Sequence, residues 1–428
     1  MSVAELVPEP DTHGSEAAAP AEAGVGDTRR MRGSNHTGMR QFNERIVLQA
    51  VRHHGALPKA DLARMTHLST QAVSIIVGRL LDDGLLIKQD RLRGRIGQPS
   101  VPLSLNPDGA YSIGIQVGRR SLQLVVVDFC GQLVERFDLR YAYPDPDTVL
   151  PGIAQGLAQL RQRRGDSWSR VVGIGLSAPL FLHQWADVMG GQAAAALARW
   201  ESVDLRARVQ ALTDLPVEFA KDTTAACVAE LLQGHGQSIS SYLYVFVGTF
   251  IGGALVLAGH IMGGERGNAG AIGSLPIRLE DGSKASGQSP PQLLQLASGW
   301  QLEQAMIADG HDPFLLQQDA IMDPAYARYV EPWLAQSSRA LAMTVTSAAA
   351  LLDLDAVVMD GAMAPPLMAV LLRDTQAAMA HYAFDGMHQP RLLKGKVGSP
   401  ARALGAALLP LHSQFFPDKD IFLKRDLV

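Results

Sequence analysis

From Asn43 to Leu80 the apolar residues recur at helical spacing in three short runs. The first, Asn43 to His53, carries Ile46, Val47, Leu48, Ala50 and Val51 and stops at His54-Gly55. The second follows Leu57-Pro58 and turns Leu62 and Ala63 inward while Lys59, Asp61 and Arg64 stay in water. The third opens at Ser69, a residue suited to cap a helix, and sets Val73, Ile76, Val77 and Leu80 at i, i+3, i+4 and i+7. Gly84 ends that helix, and Leu85 to Ile87 starts a strand. A hairpin follows, which Leu103 to Pro107 leaves. The turn cluster Asn106-Pro107-Asp108-Gly109 then predicts a domain boundary.

After Tyr111 the period changes to that of an α/β chain. Strands are predicted at Ser112–Gly118, Leu122–Asp128, Leu133–Arg140, Val171–Ser177 and Val217–Ala220, with helices over Val149–Arg161 and Ala225–Leu232. The style repeats after Tyr242, with a buried hairpin, helices and a strand at Ala356–Met359. Two hairpin-plus-helix halves facing each other predict a two-lobed domain with a cleft. The expected organisation is a disordered tail over 1–38, a winged helix-turn-helix over 39–106 and a two-lobed ligand domain over 107–428.

Composition sharpens this outline in four places. The first 38 residues are rich in Ala, Glu, Pro, Gly and Ser, with no apolar core of a signal peptide. The run Tyr242 to Gly259 is apolar, but Gly248, Gly252 and Gly253 interrupt it, so it reads as two buried strands and no membrane span. Cys130 and Cys227 are the only cysteines and lack metal-ligand spacing, which favours a reducing cytoplasm. The net charge is -4, yet Arg40 to Gly97 holds ten Lys/Arg against five Asp/Glu. A basic segment in an acidic chain marks a local surface for a polyanion.

That surface has the parts needed to read double-stranded DNA. Ser69, Thr70, Gln71 and Ser74 lie in the first turn of the third helix, where short polar side chains reach base edges from the major groove, and Arg79 follows one face further on. Lys88, Arg91, Arg93 and Arg95 cluster on the hairpin, with Gly94 and Gly97 allowing a tight turn, and suit phosphate or minor-groove contact. Winged helices of this kind read inverted repeats as dimers, so a homodimer or a dimer of dimers is implied.

Several motifs in the second part carry a family resemblance. They are Gly114-Ile115-Gln116-Val117-Gly118, Lys221-Asp222-Thr223-Thr224-Ala225-Ala226, Gly248-Thr249-Phe250-Ile251-Gly252-Gly253, Gly267-Asn268-Ala269-Gly270-Ala271-Ile272-Gly273 and Ala403-Leu404-Gly405-Ala406-Ala407. In this order the chain after about residue 40 resembles the regulator branch of the ROK family (repressors, open reading frames and sugar kinases). The resemblance implies an actin-like, ribonuclease H-like sugar-kinase fold behind the winged helix.

The departures from the family pattern bear on function. Where family kinases carry Asp-x-Gly-x-Thr, the chain has Gln116, Gly118 and Arg120, so a neutral amide replaces the Mg²⁺-organising carboxylate and a long cation the phosphate-facing hydroxyl. Asp222 matches the family's catalytic base and also fits a helix cap, but the residue before it is Lys221 where the family has Asn. The family's Glu-x-Gly-His reads Ala271-Ile272-Gly273-Ser274, and the cysteine-rich zinc loop is replaced by Asp281 to Pro291. Neither zinc nor any other cofactor is therefore expected.

The reading that follows is a transcriptional regulator of carbohydrate-related genes, more a repressor than an activator, and not an enzyme. A small sugar or sugar derivative would bind at Lys221, Asp222, Asn268 and Ser274. Lys221 favours an anionic effector, unless it merely pairs with Asp222 or Glu218. The alternatives are an active ATP-dependent sugar kinase with an accessory DNA-binding domain, and a ligand-free DNA-binding scaffold.

Overall fold

The computed structural model describes residues 36–90, 101–189, 191–279 and 289–417. The first unit packs α1 (His36–His54), α2 (Lys59–Thr66) and α3 (Thr70–Asp82) around Val47, Leu48, Val51, Leu62, Val73 and Val77. A two-stranded antiparallel sheet of β1 (Leu86–Lys88) and β2 (Leu103–Leu105) completes this winged helix. The helix α1 begins at His36, seven residues before the predicted Asn43 and inside the segment expected to be a disordered tail. The rest of that tail, and the wing residues Arg91, Arg93 and Arg95, lie outside the described residues.

Ser69 caps α3, its hydroxyl accepting from the amide of Ala72 at 3.1 Å. His67 closes α2 in the left-handed region at φ 55°, so the chain reverses sharply between the two helices.

The larger part is built twice on one plan. Its first lobe holds β3 (Tyr111–Val117), β4 (Ser121–Asp128), β5 (Leu133–Arg140), α4 (Pro146–Arg164), β6 (Val171–Ala178), the short helices α5 (Trp185–Met189), α6 (Gly191–Ala198) and α7 (Leu205–Gln210), and β7 (Val217–Lys221). The sheet order is β5-β4-β3-β6-β7, with β3 and β4 antiparallel and β6 and β7 parallel to β3. After α8 (Asp222–Gln233) the second lobe brings β8 (Tyr242–Val247), β9 (Gly252–Leu257), β10 (His260–Met262), α9 (Leu293–Ala297), α10 (Gly299–Ala308), α11 (Ala327–Leu352), β11 (Ala356–Gly361), α12 (Pro365–Met379) and β12 (Arg391–Lys394). Its order, β10-β9-β8-β11-β12, repeats that of the first lobe. The run from Tyr242 forms two buried strands around a glycine turn, and no described helix is long and apolar enough to cross a membrane.

Between the sheets lie α8 and the last described helix, α13 (Ala401–Phe415). Small residues set this contact. A Cβ at Gly405 would stand 1.6 Å from the Ala225 carbonyl oxygen, and one at Gly175 would stand 1.8 Å from that of Ala406. Backbones this close leave no room for a side chain. One continuous apolar cluster runs from the winged helix through Phe129 to α8, α13 and β8.

Candidate DNA-reading surface and interlobe cleft

On α3 the side chains of Thr70, Gln71 and Ser74 are exposed in the first turn, as is Ser69 before it. Ser74 accepts from the Lys59 ammonium at 3.2 Å, so that cation is held against the exposed face of α3. Arg79 faces back to Glu44 of α1 at 3.3 Å, and Lys88 is exposed at the end of β1. The structure adds Ile75, 51% exposed beside Gln71 and Ser74. An exposed branched apolar group there can meet a thymine methyl. Its signal in the sequence was an apolar residue off the buried stripe.

The cleft is built where β3 turns into β4. The amide of Gly118 bonds the Ser121 carbonyl at 2.9 Å, which projects Arg119 and Arg120 across to the second lobe. There both guanidiniums meet one carboxylate, Glu303 of α10, with Arg119 at 2.9 Å and Arg120 also bonded to it. Arg119 lies over the Trp300 ring at 4.6 Å and Arg120 over Phe314 at 5.2 Å. Burial pulls the Arg119 pKa down to about 10, against the opposing pull of Glu303, so it stays a cation at neutral pH.

Glu303 is fixed through the glycine turn after β8. The amides of Gly299 and Trp300, at the start of α10, bond the carbonyls of Gly248 and Thr249 at 3.0 and 2.9 Å. Phe250 on that turn packs against Trp185 of the first lobe at 4.7 Å and Trp300 at 5.9 Å, forming an aromatic wall across the cleft. Arg119, Glu303 and Arg402 went unnoticed in the sequence because only the fold brings residues so distant together; the Arg119-Arg120 doublet was the available signal.

The residues expected to hold an effector are partly gathered. Buried Lys221 donates to Asn268 Oδ1 at 3.2 Å and to the Ala269 carbonyl at 3.1 Å, so it pairs with neither Asp222 nor Glu218. Glu218 accepts from Ser413 instead, at 2.6 Å. Desolvation holds the Lys221 pKa below its ordinary value, although Asp222 and Cys227 oppose this. Asp222 lines the cleft and is the first residue of α8, with Lys221 in the cap position; its Oδ2 faces Arg402 at 3.9 Å. Ser274 is exposed at the end of a short turn and does not line that cleft. The loop 281–288, where the family keeps zinc ligands, lies outside the described residues. Among the described residues no group of three or more His, Cys, Asp or Glu could hold a metal ion.

A model of the ROK family matches residues 112–412. The chain belongs to the ROK family. A MarR family model matches residues 41–96, the winged helix. This ROK protein is 24% identical over 248 residues to a putative xylose repressor of a Caldicellulosiruptor species, covering 58% of this chain and 61% of the relative. It thus spans about six tenths of the length of that relative. The xylose repressor of Bacillus subtilis is 23% identical over 257 residues, 59% of this chain and 65% of the relative. A glucokinase of Halalkalibacterium halodurans is 27% identical over 174 residues, 40% of this chain and 52% of the relative. Among solved structures, a ROK family transcriptional regulator homologous to the MLC protein of E. coli shares the fold with a TM-score of 0.65 at 21% identity, over 88% of this chain and 98% of that one.

Proposed function

We propose that this ROK protein is a sequence-specific DNA-binding repressor whose kinase-like domain senses a small sugar-like effector and does not phosphorylate it. The observation that carries the reading is the Arg119–Glu303–Arg120 cluster. A ROK kinase needs this turn for metal and phosphate, and here it spends two cations on a carboxylate of the opposite lobe. Phosphoryl transfer depends on preorganised positive charge and a metal at the γ-phosphate, and Gln116 offers no carboxylate to place one. The relatives named xylose repressor support the same reading.

The exposed Thr70, Gln71 and Ser74 supply base contacts from α3, with Ser69 capping the helix, and Arg79, Lys88 and the wing arginines Arg91, Arg93 and Arg95 supply phosphate contacts. The effector sits against Asp222, beside the Lys221–Asn268 pair. The protein acts in the cytoplasm as a homodimer or dimer of dimers on an inverted repeat. Coupling runs through α13, which starts at the cleft with Arg402 and ends against α1 of the winged helix. Selection of duplexes from a random pool tests the reading: it should recover a two-fold-symmetric site. Absence of any enriched sequence would contradict it.

A further inference from the structure

The cleft is oversupplied with donors. Arg119 is 7% exposed and Gln116 1%, yet Arg119 Nε and Gln116 Nε2 are buried without an acceptor, as are Arg120 Nε and Arg402 Nε. Arg119, Arg120 and Arg402 line the same cleft of about 100 Å³. Gln116 Nε2 lies behind their turn, 2.8 Å from where a Cβ of Gly118 would stand. Against three guanidiniums stand two carboxylates, Glu303 and Asp222, so positive charge is in excess. Buried N–H groups normally find acceptors, and two orphans on this turn with two more beside it mark a place for one.

We propose that this cleft is an oxyanion receptor that works without a metal ion, and that Glu303 occupies it from within the chain until a ligand carboxylate or phosphate displaces it. The inference rests on the cleft being a ligand site, as read above, and names the ligand's chemistry. Guanidinium forks match carboxylate and phosphate oxygens in pairs, and stacking on Trp300 and Phe314 fixes the planes of Arg119 and Arg120. They supply the positive charge that a kinase obtains from Mg²⁺. The volume suits a small oxyanion, or the anionic group of a larger ligand, and is well below the several hundred Å³ that a whole drug-sized ligand fills. Because Glu303 belongs to the second lobe and Arg119 and Arg120 to the first, its displacement removes one tie between the lobes and gives the ligand a differential interaction with the two states.

Thermal unfolding of the full chain in chelator, at fixed ionic strength, tests this with inorganic phosphate, a sugar phosphate, a sugar acid and a neutral sugar. Phosphate should raise Tm above a chloride control. Glu303→Gln should bind it about tenfold more tightly, and Arg120→Gln about tenfold more weakly. The sugar phosphate and sugar acid arms show which oxyanion the receptor prefers. No oxyanion response in either wild type or Glu303→Gln, or an equal response in Arg120→Gln, would overturn the inference. A neutral sugar that shifts DNA binding with no oxyanion response would refute the receptor and leave the repressor reading standing. Oxyanion binding with no ligand effect on DNA affinity would support the receptor and refute that reading.

Discussion

The guanidinium of Arg52 lies 4.1 Å from the centre of the Phe416 ring, joining α1 to the residue that follows α13. Phe129, on the turn after β4, has its ring centre 5.5 Å from the same guanidinium, and Arg45 donates to the Phe416 carbonyl at 3.2 Å. Burial lowers the Arg52 pKa to about 10, so the stacked group is still a cation at neutral pH. At its other end α13 places Arg402 beside Asp222 and over the Phe246 ring. The helix α13 and the residue that caps it therefore reach from the cleft to the winged helix.

Phe416→Ala removes the stacking partner of Arg52, an interaction worth about 0.5–2 kcal/mol. Operator affinity without effector should change only a few-fold, while the response to effector should largely disappear. Fluorescence anisotropy with a labelled operator reads both quantities. A variant that responds like wild type would show that α13 is not the route.

Gln71→Ala should narrow the gap between operator and scrambled duplex by about 1–3 kcal/mol if the proposed base contact is made by this side chain. Arg93→Ala should weaken both duplexes alike and reduce the salt slope by about one unit. An unchanged specificity ratio in Gln71→Ala would mean that α3 is not the reading helix.

Sugar-dependent ATP turnover should be absent, since Gln116 and Arg120 stand where a kinase needs a carboxylate and a hydroxyl. A coupled assay over common hexoses and pentoses measures this. Steady turnover that vanishes in Asp222→Asn would reverse the assignment.

Gly405→Ala should destabilise the fold by about 1–3 kcal/mol or more, because both helix backbones must part to admit a methyl group 1.6 Å from the Ala225 oxygen. Gly78→Ala meets nothing within 4 Å on α3 and should stabilise it by about 0.5–1 kcal/mol. Denaturant melts of the two variants should move in opposite directions.

Much of the fold was legible because its strands and helices are strongly patterned. The bounds of β5 were predicted without error, and the buried faces of α2 and α3 fall on the predicted residues. The early start of α1 was missed because His36 to Arg40 carries no apolar stripe, so tertiary context extends the helix where local pattern is silent. In the cleft, sequence singled out Arg120 through a broken motif but could not find its partner, since Glu303 lies 183 residues away. Lys221 read either as a cation for a ligand or as a partner of Asp222 or Glu218, and only the fold shows its bonds to Asn268 and Ala269.

The most direct test of the account is the affinity of the full-length protein for its selected operator, measured by anisotropy with and without a panel of sugars, sugar acids and sugar phosphates. A ligand that separates the two lobe arrangements by about 1–3 kcal/mol changes that affinity roughly 5- to 150-fold. At least one ligand is predicted to do so, and Asp222→Ala to abolish its effect while binding operator normally. Operator affinity that no ligand alters would contradict the claim that the cleft controls the DNA-reading surface.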